Sequence, residues 1–107
     1  MLQKALNIVE KNLSDPEFDV EMLAEQIHMS RSTLARKIKI LSGLTPLEFI
    51  RNIRMKHAGQ MLMNINTKIT EVAEMVGYSD RRYFASCFKD QFGMTPSEYQ
   101  KRNEKLS

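Results

Sequence analysis

The chain has 107 residues, of which 42% are hydrophobic and 27% are charged, and its formal net charge is +3. This length can build modest hydrophobic cores but not one large core. No apolar run approaches the roughly 18 residues of a membrane helix, and residues 1–4 do not begin a signal peptide, so we expect a cytoplasmic protein with no membrane partner. The single cysteine, Cys87, excludes an internal disulfide, and its spacing from Phe84 and Phe88 predicts a buried helical position.

The charges are unevenly distributed along the chain. Residues 1–30 carry two lysines against six acidic residues, whereas residues 31–57 carry seven lysines and arginines against Glu48 alone. Residues 58–107 are nearly balanced, with seven basic and six acidic residues. A basic side of a protein surface is the expected contact for a phosphate-rich partner. The alternative is a charged face that only contacts solvent.

Helical spacing of leucine and valine predicts a first helix over residues 2–13, which ends before Ser14-Asp15-Pro16 and covers the module that follows. Asp19 is suited to cap a second helix that runs to about Ile27. A turn at His28 and Met29 should separate this helix from the next one.

Ser30 can cap a third helix, in which the predicted buried residues are Leu34, Ile38 and Leu41. On the opposite face, a helical wheel groups Ser32, Ala35, Arg36 and Lys39 within about 100°. Small residues beside cations allow close approach to a partner. Such a helix fits the major groove of DNA, where arginine can bond guanine O6 and N7 together and lysine can pair with a phosphate.

A long helix is predicted from about Pro46 to Met63. Thr45, Pro46 and Glu48 match the start of a helix, with a hydroxyl cap, proline at the first position and a carboxylate three residues after the cap. Apolar residues then cover about half of the helix circumference, so we expect this helix to pack on both flanks. They are Ile50, Ile53, Ala58, Met61, Leu62 and Ile65.

The sequences on either side of this helix are two copies of one pattern. Residues 23–30 align with residues 72–79 at an offset of 49, and beyond the two serines the alignment resumes at an offset of 50, so that Gly43, Thr45 and Pro46 match Gly93, Thr95 and Pro96. Two copies are too few for a solenoid. The pattern predicts an all-α chain of about seven helices, with modules at residues 1–44 and 67–107 joined by a connecting helix at 45–66.

In the second copy, Gly77 and Tyr78 are the predicted turn and Ser79 the predicted cap. Asp80 would then lie in the first helical turn and stabilise the helix dipole. The predicted outer face carries Arg82, Ala85, Ser86 and Lys89, with Arg81 at the helix start. The aromatic residues Tyr78, Tyr83, Phe84 and Phe88 are interpreted as core rather than as base-stacking residues.

Other classes of function fit less well. An enzyme would need a nucleophile with a base, paired carboxylates or a metal cluster, and neither His28 nor His57 has a ligand partner at helical-site spacing. We therefore predict no enzyme activity, metal or cofactor. RNA is disfavoured, because the deep and narrow major groove of its helices excludes such a helix. A helical protein-interaction adaptor is the main alternative, although a basic outer face in both modules favours DNA.

The segments LAEQIHMSRSTLARKIKILSGLTPLEFI and IRMKHAGQMLMNINTKITEVAEMVGYSDRRYFASCFKDQFGMTPSEYQ closely resemble the DNA-binding domain of AraC-type transcription regulators, over about residues 18–100. The resemblance implies two helix-turn-helix units whose third and sixth helices enter successive major grooves of double-stranded DNA. Transferred to this sequence, the base-contacting positions are Ser32, Ala35, Arg36, Arg81, Arg82 and Ser86. We assign Arg31, Lys39 and Lys89 to phosphates.

Two positions depart from the family pattern. Ser86 stands where arginine is common in relatives, and Ala35 cannot read a base by hydrogen bonding, although it can contact a thymine methyl group. The resemblance also implies a sensor, dimerisation or receiver region elsewhere in a longer chain, and RNA polymerase as a further partner. The finer resemblance is to the output domains of Bacteroides-type hybrid two-component regulators. Because the two outer helices differ, we predict a monomeric domain that reads a non-palindromic site.

Overall fold

A computed structural model describes residues 1–106, with side chains described as far as Glu104. The described chain contains seven α-helices and no strand, which confirms the predicted all-α class. None of these helices has the length and apolar character needed to cross a membrane. The helices are α1 (Leu2–Lys11), α2 (Val20–Gln26), α3 (Arg31–Ser42), α4 (Pro46–Met61), α5 (Ile69–Met75), α6 (Arg81–Phe92) and α7 (Pro96–Leu106).

The starts of α2 and α3 in the first module follow from local caps. The Asp19 side chain accepts a hydrogen bond from the Met22 amide at the start of α2, and the Ser30 hydroxyl accepts one from the Thr33 amide at the start of α3. Such side chains satisfy amide groups that have no partner within the helix. Both predicted caps are confirmed.

The sequence repeat has a matching repeat in backbone geometry. His28 and Gly77, which the alignment pairs, are the turn residues with positive φ, at 59° and 86°. Helices α3 and α6 both end at a left-handed glycine, Gly43 and Gly93. At the start of α4, the Thr45 amide donates to the Glu48 carboxylate over 2.9 Å and the Glu48 amide donates to the Thr45 hydroxyl over 3.2 Å. The same two bonds, with the same lengths, join Thr95 and Glu98 before α7.

The hydrophobic residues form two clusters that share α4. Its first half contributes Phe49, Ile50 and Ile53 to a cluster with α1, α2 and α3. Its second half contributes Met55, Ala58 and Leu62 to a cluster with α5 and α6, which includes Cys87. The predictions that α4 packs on both flanks and that Cys87 is buried are therefore confirmed. The division of the chain at residues 44 and 66 stays a prediction.

Several predicted core positions are wrong. Leu41 is 54% exposed, because α3 ends one residue later and Leu44, beyond the glycine, packs on the first cluster instead. Helix α4 ends at Met61 rather than Met63, and Ile65 lies outside it and is exposed. Tyr83 is 52% exposed, because its neighbour Phe84 occupies the core and the next residue on a helix points about 100° away.

The predicted cap of α6 is also wrong. The cap is Asp80, whose Oδ1 accepts hydrogen bonds from the amides of Arg82 and Tyr83 at 2.9 and 3.2 Å. The offset between the two aligned copies changes from 49 to 50 after the serines. The turn before α6 therefore has one residue more than the turn before α3, and this extra residue is Ser79. Asp80 thus lies at the cap and not within the first helical turn as predicted.

Candidate nucleic-acid interface

The predicted base-contacting residues of the first module lie on one side of α3. Ser32 and Arg36 are exposed, and Ala35 between them is half-buried. The opposite side of the helix carries Leu34 and Ile38, both fully buried. The first cluster therefore fixes the rotation of α3, and this rotation turns Ser32 and Arg36 to the surface.

Arg31 lies at the start of α3 and forms an exposed ion pair with Glu21 of α2, with 3.4 Å between Nη1 and Oε1. The two side chains are 68% and 73% exposed. A pair this exposed contributes little to stability, because water screens both charges. Arg31 would therefore lose little free energy on leaving Glu21 to pair with a phosphate.

The second module presents a similar face on α6. Arg81, Arg82, Ser86 and Lys89 are exposed, and Ala85 is half-buried, as is Ala35 at the matching place in α3. Phe84, Cys87 and Phe88 form the buried side of the helix. Each outer helix thus combines a small residue with exposed cations. Three of the six predicted base-contacting residues thus lie on α3, which packs in the first cluster, and three lie on α6, which packs in the second.

Each outer helix also has a lysine in its last turn. Lys39 Nζ donates a 3.0 Å hydrogen bond to the Gly43 carbonyl oxygen, so this ammonium group caps the end of α3. Lys89 is the matching residue at the end of α6. The carboxyl groups of Glu48 and Glu98 lie near these lysines. Their pKa values are lowered, first by hydrogen bonds from the backbone amides of Thr45 and Thr95 and only to a smaller degree by Lys39 and Lys89.

Sequence reasoning missed a contact between α4 and α6. Arg51, half-buried on α4, lies with its Nη2 3.4 Å from the hydroxyl oxygen of Tyr83. Tyr83 follows two of the predicted base-contacting residues, Arg81 and Arg82. Its spacing had suggested core, and only the exposure of its side chain reveals that it is available at the surface next to these arginines.

A second missed residue is Arg54, one of the seven lysines and arginines of residues 31–57. Arg54 is only 5% exposed and donates hydrogen bonds to three backbone carbonyl groups. Burial lowers the pKa of its guanidinium group, with Tyr78 and Asp15 opposing that shift. Arginine nevertheless stays charged in proteins. The three carbonyl oxygens accept its hydrogen bonds and stabilise this buried charge. A sequence signal was available, because Arg54 lies one helical turn after Ile50 and one turn before Ala58, both on the predicted apolar face of α4.

Among the residues with described side chains, no group of three or more histidine, cysteine or acidic residues could hold a metal ion. The outer faces themselves offer hydrogen bonding by arginine and serine, and charge pairing by lysine and arginine. Both suit contacts with phosphates and base edges.

Comparison with known proteins agrees with this fold. A family model described as a helix-turn-helix domain matches residues 23–102. The chain is 41% identical to histidine kinase P4 of Formosa agariphila, with 95% of the chain aligned to 7% of that protein. It is 38% identical to the HTH-type transcriptional activator RclR of Escherichia coli, with 82% of the chain aligned to 31% of that protein. The chain thus spans a minor part of both relatives.

Solved structures with the same fold have related descriptions. The C-terminal domain of AraT, a response regulator from Geobacillus stearothermophilus, matches with a TM-score of 0.86 and 31% identity, over 94% of this chain and 84% of that one. The DNA-binding domain of AdpA, a global transcriptional factor solved with a target DNA, matches with a TM-score of 0.85 and 29% identity, over 94% of this chain and 90% of that one. A Chromobacterium violaceum regulator described as having an AraC-type DNA-binding domain matches with a TM-score of 0.86 and 25% identity, over 95% of this chain and 90% of that one.

Two helix-turn-helix units joined by a shared helix, each with a basic outer helix, define a DNA-binding domain of a transcription regulator. Within that class, the chain belongs to the AraC-type family of helix-turn-helix domains. The resemblance seen in the sequence is therefore confirmed.

Proposed function

We propose that this chain binds double-stranded DNA sequence-specifically, with α3 and α6 in adjacent major-groove segments, and thereby regulates transcription. The observation that carries the proposal is the duplicated outer face. The two helices are held by different clusters, yet each exposes cations beside a half-buried alanine at the same helical position. An adaptor for a protein partner would not require cations at matching places in both modules.

The proposed contacts divide into two groups. Arg36, Arg81 and Arg82 carry the polar base readout, with Ser32 and Ser86 beside them and Ala35 against a thymine methyl group. Arg31, Lys39 and Lys89 pair with phosphates, which position the helices without reading sequence.

The dimensions of the molecule suit two adjacent segments. Its Cα atoms extend over 45 Å along the longest axis. Successive major-groove faces on one side of DNA lie about 34 Å apart. By contrast, α4 has 16 residues and is about 24 Å long at 1.5 Å per residue. The helix is shorter than the groove repeat, so we expect the DNA to bend or one module to dock less deeply.

The wider setting is also a proposal. A relative that is a histidine kinase and a solved response-regulator domain favour an output domain of a cytoplasmic two-component regulator, with a sensor or receiver region elsewhere in the longer chain. RNA polymerase is the expected partner when DNA is bound. We assign the chain no catalytic role.

The test is selection of binding sites from random duplexes, followed by a footprint on the selected site and gel-shift titrations at two salt concentrations. We expect protection over two successive major-groove segments on one face of the DNA. Affinity should fall steeply with salt, because each phosphate contact releases counterions.

Protection confined to a single half-turn of DNA would contradict the two-segment geometry. Failure of the selection to enrich any sequence, together with salt-insensitive binding, would favour the adaptor alternative.

A further inference from the structure

Arg54 is a buried cation at the junction of the two modules. It lies on α4 immediately after Ile53, the last α4 residue of the first cluster, and immediately before Met55, the first α4 residue of the second. Its side chain leaves the helix between the two clusters and reaches backbone groups on both sides. The residue is thus placed where the modules meet.

The hydrogen bonds of Arg54 join three separate segments. Nη1 donates to the Val76 carbonyl oxygen over 2.8 Å, and Nη2 donates to the carbonyl oxygens of Asp15 and Phe18 over 3.1 and 3.4 Å. Val76 ends α5 in the second helix-turn-helix unit. Asp15 and Phe18 belong to the loop between α1 and α2 of the first module. One guanidinium group therefore bonds both modules to the helix that they share.

The surroundings of the guanidinium group leave it little freedom. Its carbon lies 5.8 Å from the centre of the Tyr78 ring. A Cβ atom added to Gly77 would overlap Arg54 Nη1 and would lie 2.6 Å from the Leu13 carbonyl oxygen. The turn that leads into α6 is thus packed directly on the arginine.

Other hydrogen bonds between α4 and the second module are longer. Arg51 to Tyr83 measures 3.4 Å at an exposed site, and Gln91 to the Asn52 carbonyl oxygen measures 3.5 Å. Hydrogen bonds weaken as they lengthen and as water competes for them. Among these contacts, the buried bonds of Arg54 resist a rotation of one module against the other most strongly.

We infer that Arg54 is a positioning residue that fixes the placement of α6 relative to α3, and thereby the base-pair spacing between the two half-sites. This inference rests on the proposed DNA-binding function. With the modules fixed, binding of the first half-site presents the second helix at one spacing only. One inserted base pair moves the second half-site by about 3.4 Å and turns it by about 35°.

The experiment compares wild type, Arg54→Met, Arg54→Lys and Lys56→Met. Methionine has a similar length but no donors, and lysine keeps the charge but cannot bond to carbonyl groups on both sides. Lys56→Met is the matched control, because it removes a cation from an exposed position on the same helix. Each protein is titrated with the selected site, with the site carrying one inserted base pair, and with a duplex in which one half-site is scrambled.

Wild type and Lys56→Met should bind the selected site at least about tenfold more tightly than the duplex with the insertion. Both Arg54 variants should lose most of this difference, while their affinity for the duplex with one half-site stays near that of wild type. A variant that is merely unfolded would lose both kinds of binding. Full spacing discrimination in a folded Arg54 variant, or wild type that tolerates the insertion, would overturn the inference.

A measurement without DNA separates this inference from the proposed function. Spin labels at Lys37→Cys in α3 and Asp90→Cys in α6, both exposed, report the distance between the two helices in a Cys87→Ala background. We expect one narrow distance distribution in the parent protein and a broader one in Arg54→Lys. A broad distribution in the parent, or an unchanged narrow one in the folded variant, would overturn the positioning role even if DNA binds.

Discussion

The ammonium group of Lys39 lies 3.0 Å from the carbonyl oxygen of Gly43, so in the free protein this lysine completes the end of α3. Arg36, one turn earlier on the same helix, is exposed. These two cations thus differ in position along the helix as well as in chemistry. A guanidinium group can grip a guanine edge with two bonds, whereas an ammonium group acts as a point charge.

Arg36→Ala should reduce affinity for the selected site by about 1 to 3 kcal/mol and relax preference at one base position. Lys39→Ala should weaken binding to all duplexes alike and reduce the slope of log affinity against log salt by about one unit. Both variants would be titrated against selected and scrambled duplexes across a salt series. Equal loss on both duplexes for Arg36→Ala, with altered base preference for Lys39→Ala, would mean that the roles are reversed.

The parts of the fold that sequence could predict are those that depend on neighbouring residues. The caps at Asp19, Ser30 and Thr45 were predictable because each side chain bonds to an amide three residues away in its own segment. The outer faces of α3 and α6 were predictable for a related reason, since helical phase relative to Leu34 or Phe84 determines them.

The parts that could not be predicted depend on segments distant in sequence. Arg54 is buried because Asp15, Phe18 and Val76 bring carbonyl groups to it from 22 to 39 residues away. Helical phase places Arg54 between Ile50 and Ala58 on the apolar face of α4, but it gives no information on which segments supply these carbonyl groups. The shift of the α6 cap to Asp80 followed from one extra residue in the turn, whose exact place the repeat alone did not define.

The domain should be a monomer that reads an asymmetric site. The outer helices carry different sequences, SRSTLARKIK and DRRYFASCFK, so one chain presents two unlike readers in a fixed order. Palindromic operators normally reflect two-fold symmetric dimers. Sedimentation without DNA should give one 12.4 kDa species. A dimer in that measurement, or a palindrome selected within the footprint of one molecule, would disprove this prediction.

Gly77→Ala should destabilise the fold more than Gly43→Ala does. Both glycines have positive φ, 86° and 78°, so alanine at either position costs about 1 to 2 kcal/mol in backbone strain. At Gly43 nothing lies within 4 Å of the added methyl group, whereas at Gly77 it overlaps the Arg54 guanidinium group. We expect an additional loss of about 1 to 3 kcal/mol at Gly77 from this overpacking.

Urea unfolding of the two glycine variants and of Gly93→Ala would measure these free energies. Gly93 is a second control, because its φ is 77° and the space around it is also open. Equal losses at all three positions would show that the contact with Arg54 does not restrict residue 77.

The two capping boxes should make stability depend on pH in the acid range. The pKa values of Glu48 and Glu98 are lowered from 4.5 in the folded chain, because each carboxylate accepts a hydrogen bond from a backbone amide. A carboxyl group with a lowered pKa binds protons more readily in the unfolded chain. Its stabilisation is therefore complete above about pH 4.5 and is lost as pH falls through the lower folded pKa.

Glu48→Gln with Glu98→Gln should lower the melting temperature at pH 7, and the difference from wild type should shrink as pH falls below about 4.5. Glu17→Gln, at an exposed position in the loop between α1 and α2, is the control for loss of an acidic group. Melting curves by circular dichroism from pH 7 to pH 3 would provide the comparison. A difference between wild type and the double variant that stays constant over this range would show that the carboxylate charge contributes nothing to the two caps.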